Sequence, residues 1–236
     1  MVRFAFSKRG FAVAFKLLAL LLVMPFVGVF LCVLIYRFVP VTDTVYMRQM
    51  AEKNNAEVRQ QWVPLSQIST NLPLAVVSSE DNLFTKHNGF SWTAIERAYN
   101  ESKKGKRVRG GSTISQQTAK NVFLANSHSF VRKICEVPIT LMIELVWGKQ
   151  RIMEVYLNVV ELGPGLYGAE AASRKYFKHP AKSLTPAEAA LMAAVLPNPL
   201  KFKVSAPSPY IRRRQGQIVA LMRKIQKVDY NRGDKD

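Results

Sequence analysis

Two carboxylates stand side by side at Glu80-Asp81, directly after the apolar stretch LAVVSS. Partial burial and like-charge repulsion raise a carboxyl pKa, which is what a general acid or base working near neutral pH requires. The same pair also reads as a solvated helix face or a capping acid, and His87, six residues on, reads by itself as structural. A second stretch, GKRVRGGSTISQQTAKN at 105–121, sets basic residues around a Gly-Gly turn that opens a capped helix. Glycine lets a ligand approach the backbone, and a helix N-terminus attracts phosphate. Gln116, Gln117, Lys120 and Asn121 then offer polar groups along the following turns. Residues 105–112 nearly fit a nucleotide-binding P-loop, but Gly111 stands where its lysine belongs and no strand precedes it, so nucleotide binding is rejected.

Two further clusters carry charge. Arg132 and Lys133 precede Glu136 at spacings that suit either helix-surface ion pairs or an anion site. In KQRIMEVYLNVVELGPGLYG at 149–168, the tyrosine and aliphatic residues read as core and the glycines as turn formers. Lys149, Arg151 and Glu154 read there as a charged helix face or as ligand contacts.

The elements that must position these groups are helices. Thr93 with Glu96, Thr113 with Gln116, and Thr185-Pro186 with Glu188 fit capping boxes. Ile152, Val155, Tyr156 and Val159 fall on one helical face, and Ile134, Val137, Leu141 and Leu145 on another. Pro138 disfavours a regular helix there or fixes its first turn. Gly163, Gly165 and Gly168 break the chain, and the four prolines in 197–209 make a loop. A last basic helix, about 209–227, buries Ile211, Ile218, Leu221, Met222 and Ile225. The reading is a mainly α domain on a stalk.

The N-terminus points to an envelope address. Residues 17–36 hold no charge over 20 positions, about 30 Å of helix and the thickness of a bilayer core. Arg3, Lys8, Arg9 and Lys16 precede this run without an acid, which orients residues 1–16 to the cytoplasm. The run is long for a cleaved signal peptide. The resulting division is a basic N-terminus at 1–16, a transmembrane helix at 17–36, a stalk and linker at 37–60, a catalytic domain at 61–228 and a polar tail at 229–236.

Composition narrows the classes. With 48% apolar and 21% charged residues the chain is no disordered tail. Two cysteines and three histidines exclude a disulfide scaffold or a Cys/His zinc module, and Cys32 and Cys135 are not expected to pair. The net charge is +18, and +13 remains once residues 1–37 are set aside. A basic domain tethered outside the membrane suits anionic lipid head groups or a phosphorylated substrate. Nucleic acid would suit the charge but not the location.

Taken together, these stretches resemble the family 51 peptidoglycan glycosyltransferases. ED..F..H.G lies at Glu80, Asp81, Phe84, His87 and Gly89. GGSTISQQ..KN spans 110–121, with Gly111, Ser112, Thr113, Gln116, Gln117, Lys120 and Asn121. RK..E lies at Arg132, Lys133 and Glu136. K.RI.E.YLN with G.G..G follows at 149–168, and L...EAA.L...LPNP runs from Leu184 to Pro199. The length leaves no room for a transpeptidase domain, so the resemblance is to monofunctional members.

The resemblance implies a lysozyme-like helical fold with a second, membrane-associated lobe whose mobile part includes about 88–110. It implies polymerisation of lipid II into β-1,4-linked glycan strands for the cell wall, with release of undecaprenyl pyrophosphate. Glu80 would be the general base and Glu136 the second essential glutamate, near the donor sugar and its diphosphate. Asp81, Phe84, His87 and the residues of the second and third motifs would bind substrate. No cofactor is required, with Mg²⁺ or Mn²⁺ as an aid to the pyrophosphate at most. Partners would be lipid II, the lipid-linked growing chain, membrane phospholipid and other cell-wall or division proteins. The address would be the bacterial inner membrane, single-pass, with the catalytic domain periplasmic. This sequence departs from the pattern at His128, where many relatives carry Arg, and at Pro138, where a small helix former is expected. Two alternatives stay open, a lytic muramidase and a non-catalytic membrane scaffold.

Overall fold

A computed structural model of the chain describes residues 8–103, 111–127 and 129–230. His128, the 104–110 part of the basic turn and both ends of the chain lie outside the described residues. The architecture is mainly helical. In chain order the helices are α1 (Lys8–Tyr36), α2 (Val45–Lys53), α3 (Asn71–Glu80), α4 (Trp92–Lys103), α5 (Ile114–Phe123), α6 (Phe130–Val159), α7 (Ala169–Phe177), α8 (Pro186–Val195) and α9 (Pro209–Ile225). Short strands β1 (Arg59–Gln60), β2 (Glu161–Gly163) and β3 (Leu166–Tyr167) form one sheet in the order β1-β3-β2. β1 runs parallel to β3, pairing Arg59 with Leu166, and β2 runs antiparallel to it. The sequence gives no sign of this sheet, because two- and three-residue strands carry no readable alternation.

The core gathers the face Ile152, Val155, Tyr156 and Val159 together with Phe84, Ile114, Ile143 and the alanine-rich α8. Each such side chain contributes on the order of 1.5–3 kcal/mol of burial. Residues 37–60, read as a stalk and linker, hold α2 and β1, and α2 buries Met47, Met50 and Ala51. Asn158, fully buried, ties this segment down: its Nδ2 donates to the Val63 carbonyl at 2.9 Å and its Oδ1 accepts from the Val63 N–H at 3.0 Å. Gly165 takes φ +66°, and a Cβ there would stand 2.4 Å from the Glu57 carbonyl oxygen, so only glycine lets the β2–β3 turn pass that backbone.

The capping boxes at Thr113/Gln116 and Thr185/Glu188 both form. The one expected at Thr93 does not: α4 starts at Trp92, so Thr93 is already inside the helix, where its Oγ1 lies 3.2 Å from Ser91 Oγ. Pro138 does not interrupt its helix either. α6 runs through it, at the cost of one backbone hydrogen bond. The break falls instead at Gly148, whose φ of 69° and ψ of 168° split α6 into two helices meeting at a kink. The second apolar face also departs from a core role, since Ile134, Val137, Leu141 and Leu145 are exposed. α9 buries Ile211, Ile218 and Met222, with Leu221 and Ile225 half-buried.

α1 is docked on the domain. Trp147 Nε1 donates to the Val33 carbonyl at 2.7 Å. The Arg151 guanidinium donates to the carbonyls of Tyr36 and Val39, at 2.7 and 2.6 Å from Nη2. Among the described residues no helix is long and apolar enough to cross a membrane. Both cysteines are free thiols.

Candidate active site

The last turn of α3 delivers Glu80, and Asp81 ends the helix. Asp81 is buried and turns back to cap the next functional helix: its Oδ2 accepts from the Ile114 N–H at 3.1 Å. A carboxylate at a helix N-terminus meets both orphan donors and the positive end of the dipole. His87 Nε2 lies 3.0 Å from the same oxygen. Asp81 and His87 therefore hold the first motif against α5. His87 Nδ1, buried, has no partner among the described residues.

α5 bridges two charged centres. Gln117 Nε2 donates to Glu80 Oε2 at 3.3 Å, and the Tyr156 hydroxyl donates to Gln117 Oε1 at 3.3 Å. Burial pushes the Glu80 carboxyl above its ordinary pKa. The Gln117 hydrogen bond and the Arg214 charge offset this in part, and the Asp81 charge adds to it. Tyr156 is fully buried and its hydroxyl is pushed upward by burial and by the charges of Glu80 and Asp81.

Lys120 lies three residues beyond Gln117, about 4.5 Å along the helix and on the same face. It enters the second centre, around Glu136. Glu136 is 2% exposed and accepts from Arg132 Nη1 at 2.6 Å and from Lys133 Nζ. The Lys120 amine is pulled below its ordinary pKa by burial and by Arg132 and Lys133, against the opposing charges of Glu136 and Glu161. Its Nζ lies 5.1 Å from the centre of the Tyr46 ring.

Other residues expected to bind substrate have structural duties. Gln116 spends its side-chain oxygen on the Thr113 N–H at 3.0 Å, and Thr113 Oγ1 donates to the Gly89 carbonyl at 2.7 Å. Phe84 is fully buried, with Lys149 Nζ 4.7 Å from its ring centre. Gly111 and Ser112 lead into α5, Ser112 exposed. Asn121 is buried, and its Oδ1 has no partner among the described residues.

Lys149, Arg151 and Glu154 do not make a solvated face. Lys149 pairs with Glu144 at 2.6 Å, both side chains more than nine-tenths buried. Arg151 pairs with Glu154, whose Oε2 accepts from the Leu65 N–H at 2.7 Å. Sequence reasoning missed Glu144, Glu161 and Arg214. Glu161 is buried at the start of β2, and burial raises its carboxyl pKa beside Lys120. Among the described residues no group of three or more His, Cys, Asp or Glu could hold a metal ion.

Glu80, with its raised pKa, and the cation-rich centre around Glu136 are thus joined by one capped helix. Residues 46–223 match the model of the Transglycosylase family, and the chain belongs to that family. It is 53% identical over 196 residues to a protein of Pasteurella multocida, covering 80% of each chain. It is 50% identical over 205 residues to one of Haemophilus influenzae strain Rd, covering 84% of this chain and 83% of the relative. It is 48% identical over 212 residues to one of Bacteroides thetaiotaomicron, covering 88% and 86%. Each of these relatives is named biosynthetic peptidoglycan transglycosylase.

Proposed function

We propose that this chain is a peptidoglycan glycosyltransferase of cell-wall synthesis that polymerises lipid II. The observation that carries the reading is the pair of centres joined by α5: Glu80 with a raised pKa at Gln117, and Lys120, Arg132 and Lys133 around Glu136 one turn on.

Glu80 takes the proton from the 4-hydroxyl of the acceptor N-acetylglucosamine. That oxygen attacks C1 of the muramyl sugar at the lipid-linked end of the growing chain, from the face opposite the leaving group. The α-linkage inverts to β-1,4 and undecaprenyl pyrophosphate departs. A base with a raised pKa stays competent near neutral pH, and such a group contributes typically 10²–10⁴-fold. Negative charge grows on the departing pyrophosphate, and fixed cations in a partly dry site stabilise it strongly. Arg132, Lys133 and Lys120 supply that charge, and Glu136 holds the first two in place. We assign any effect of Mg²⁺ or Mn²⁺ to the substrate pyrophosphate rather than to a protein site.

We further propose that residues 17–36, within α1, anchor the chain in the inner membrane with its N-terminus cytoplasmic and the catalytic domain periplasmic. The support is the sequence itself, its uncharged length and basic flank. Part of this run lies outside the described side chains, and the described ones alone do not make a spanning helix. The exposed apolar face of α6 (Phe130, Val131, Ile134, Val137, Leu141, Leu145), with Trp92, Ile95 and Tyr99 of α4, then rests in the lipid surface as a second lobe. The site thus opens where an amphiphilic substrate resides.

The test uses detergent-solubilised full-length protein and labelled lipid II. Muramidase-sensitive polymer is expected from wild type and none from Glu80→Gln or Glu136→Gln. Cleavage of sacculi without polymer formation would replace this reading by the lytic one.

A further inference from the structure

The motifs that carry the family resemblance end at Pro199, and α9 follows them, lying up to residue 223 within the family match. Its first turns carry Arg212, Arg213 and Arg214 in succession. The first two are exposed. Arg214 is half-buried and turned toward α3, where its Nη2 donates to the Ser79 carbonyl at 3.2 Å. Ser79 is the residue before Glu80, in the last turn of its helix. The carbonyls of a last helical turn lack intrahelical partners and favour a cation. α9 itself is fixed by buried Ile211, Ile218 and Met222, so the guanidinium is held rather than merely adjacent.

We propose that Arg214 is a positioning residue for the transfer reaction, fixing the last turn of α3 and placing a permanent positive charge beside Glu80 so that the base stays ionised in a half-buried site. The proposal rests on Glu80 being the base. The groups that act on Glu80 are Gln117 from α5 and Tyr156 from α6, Asp81 on its own segment and Arg214 from α9. Burial and Asp81 favour the neutral acid, whereas Gln117 and Arg214 favour the carboxylate. Gln117 also carries the Tyr156 hydroxyl, so Arg214 is the contributor that can be changed without disturbing α5.

The test compares Arg214→Lys and Arg214→Gln with wild type in lipid II polymerisation, reading kcat/KM against pH, with thermal midpoints as a check on folding. Gln retains a donor for the Ser79 carbonyl but no charge, and Lys retains the charge. Removing the cation raises the Glu80 pKa, so Arg214→Gln should move the acidic limb upward. A shift of about one unit gives roughly a tenfold loss below the limb, recovered at alkaline pH. Arg214→Lys should keep the wild-type limb. A uniform loss across pH in Arg214→Gln, or an unmoved limb, would overturn the proposal and leave only a helix-capping role. Polymer formation by Glu80→Gln would instead remove the reading of the base on which the proposal stands.

Discussion

Lys149 Nζ lies 2.6 Å from Glu144 Oε1, although five residues separate them along α6. Residues three or four apart face each other on a regular helix, and residues five apart do not. The break at Gly148 swings the second half of α6 so that the lysine returns onto the first half. Burial lowers the Lys149 pKa, against the opposing charges of Glu144 and Asp81. Lys149→Met would leave the Glu144 carboxylate buried without its cation, and is expected to cost about 3–5 kcal/mol. The double variant Glu144→Gln/Lys149→Met should recover most of that. Urea denaturation midpoints for the two single variants and the double variant measure the coupling.

Glu80 is expected to trade stability for chemistry. Burial raises its folded-state pKa above the unfolded value, so the fold favours the neutral acid. That contribution is full below the unfolded pKa and is lost as pH rises through the folded pKa. Glu80→Gln should therefore match or exceed wild type in thermal midpoint at neutral and alkaline pH while losing polymerisation. A midpoint depressed at every pH would mean that the carboxylate is structural.

Leu145 is 84% exposed and packs into no core. Leu145→Glu, combined with Leu141→Ser, should leave the thermal midpoint unchanged. It should weaken association of the protein with phospholipid vesicles and lower polymerisation of vesicle-borne lipid II, with a smaller effect in detergent. Unchanged vesicle partition would remove the α6 face from the membrane.

Local signals were readable and long-range ones were not. The capping boxes at Thr113 and Thr185 depend on residues three apart, and both form. At Glu80-Asp81 the spacing leaves a raised-pKa carboxyl, a solvated face and a capping acid open; the structure gives Glu80 the raised pKa and makes Asp81 the cap. Pro138 misled because a proline's local cost is tolerated when the helix around it buries Glu136, Ile139 and Ile143. The Glu144–Lys149 pair was invisible because it depends on a kink angle, and Arg214 because it meets Ser79 across 135 residues of chain. The apolar face of α6 was found by its spacing, but spacing alone does not say whether such a face meets protein or lipid.

The clamp between α1 and α6 has a mechanical consequence. Trp147 and Arg151 flank Gly148 and grip the carbonyls of Val33, Tyr36 and Val39. With α1 as the anchor proposed above, the catalytic lobe does not swing on a tether. It rides at a set height and azimuth, like a tool head bolted to its column. A change in bilayer thickness that tilts the column would then tilt the active site with it.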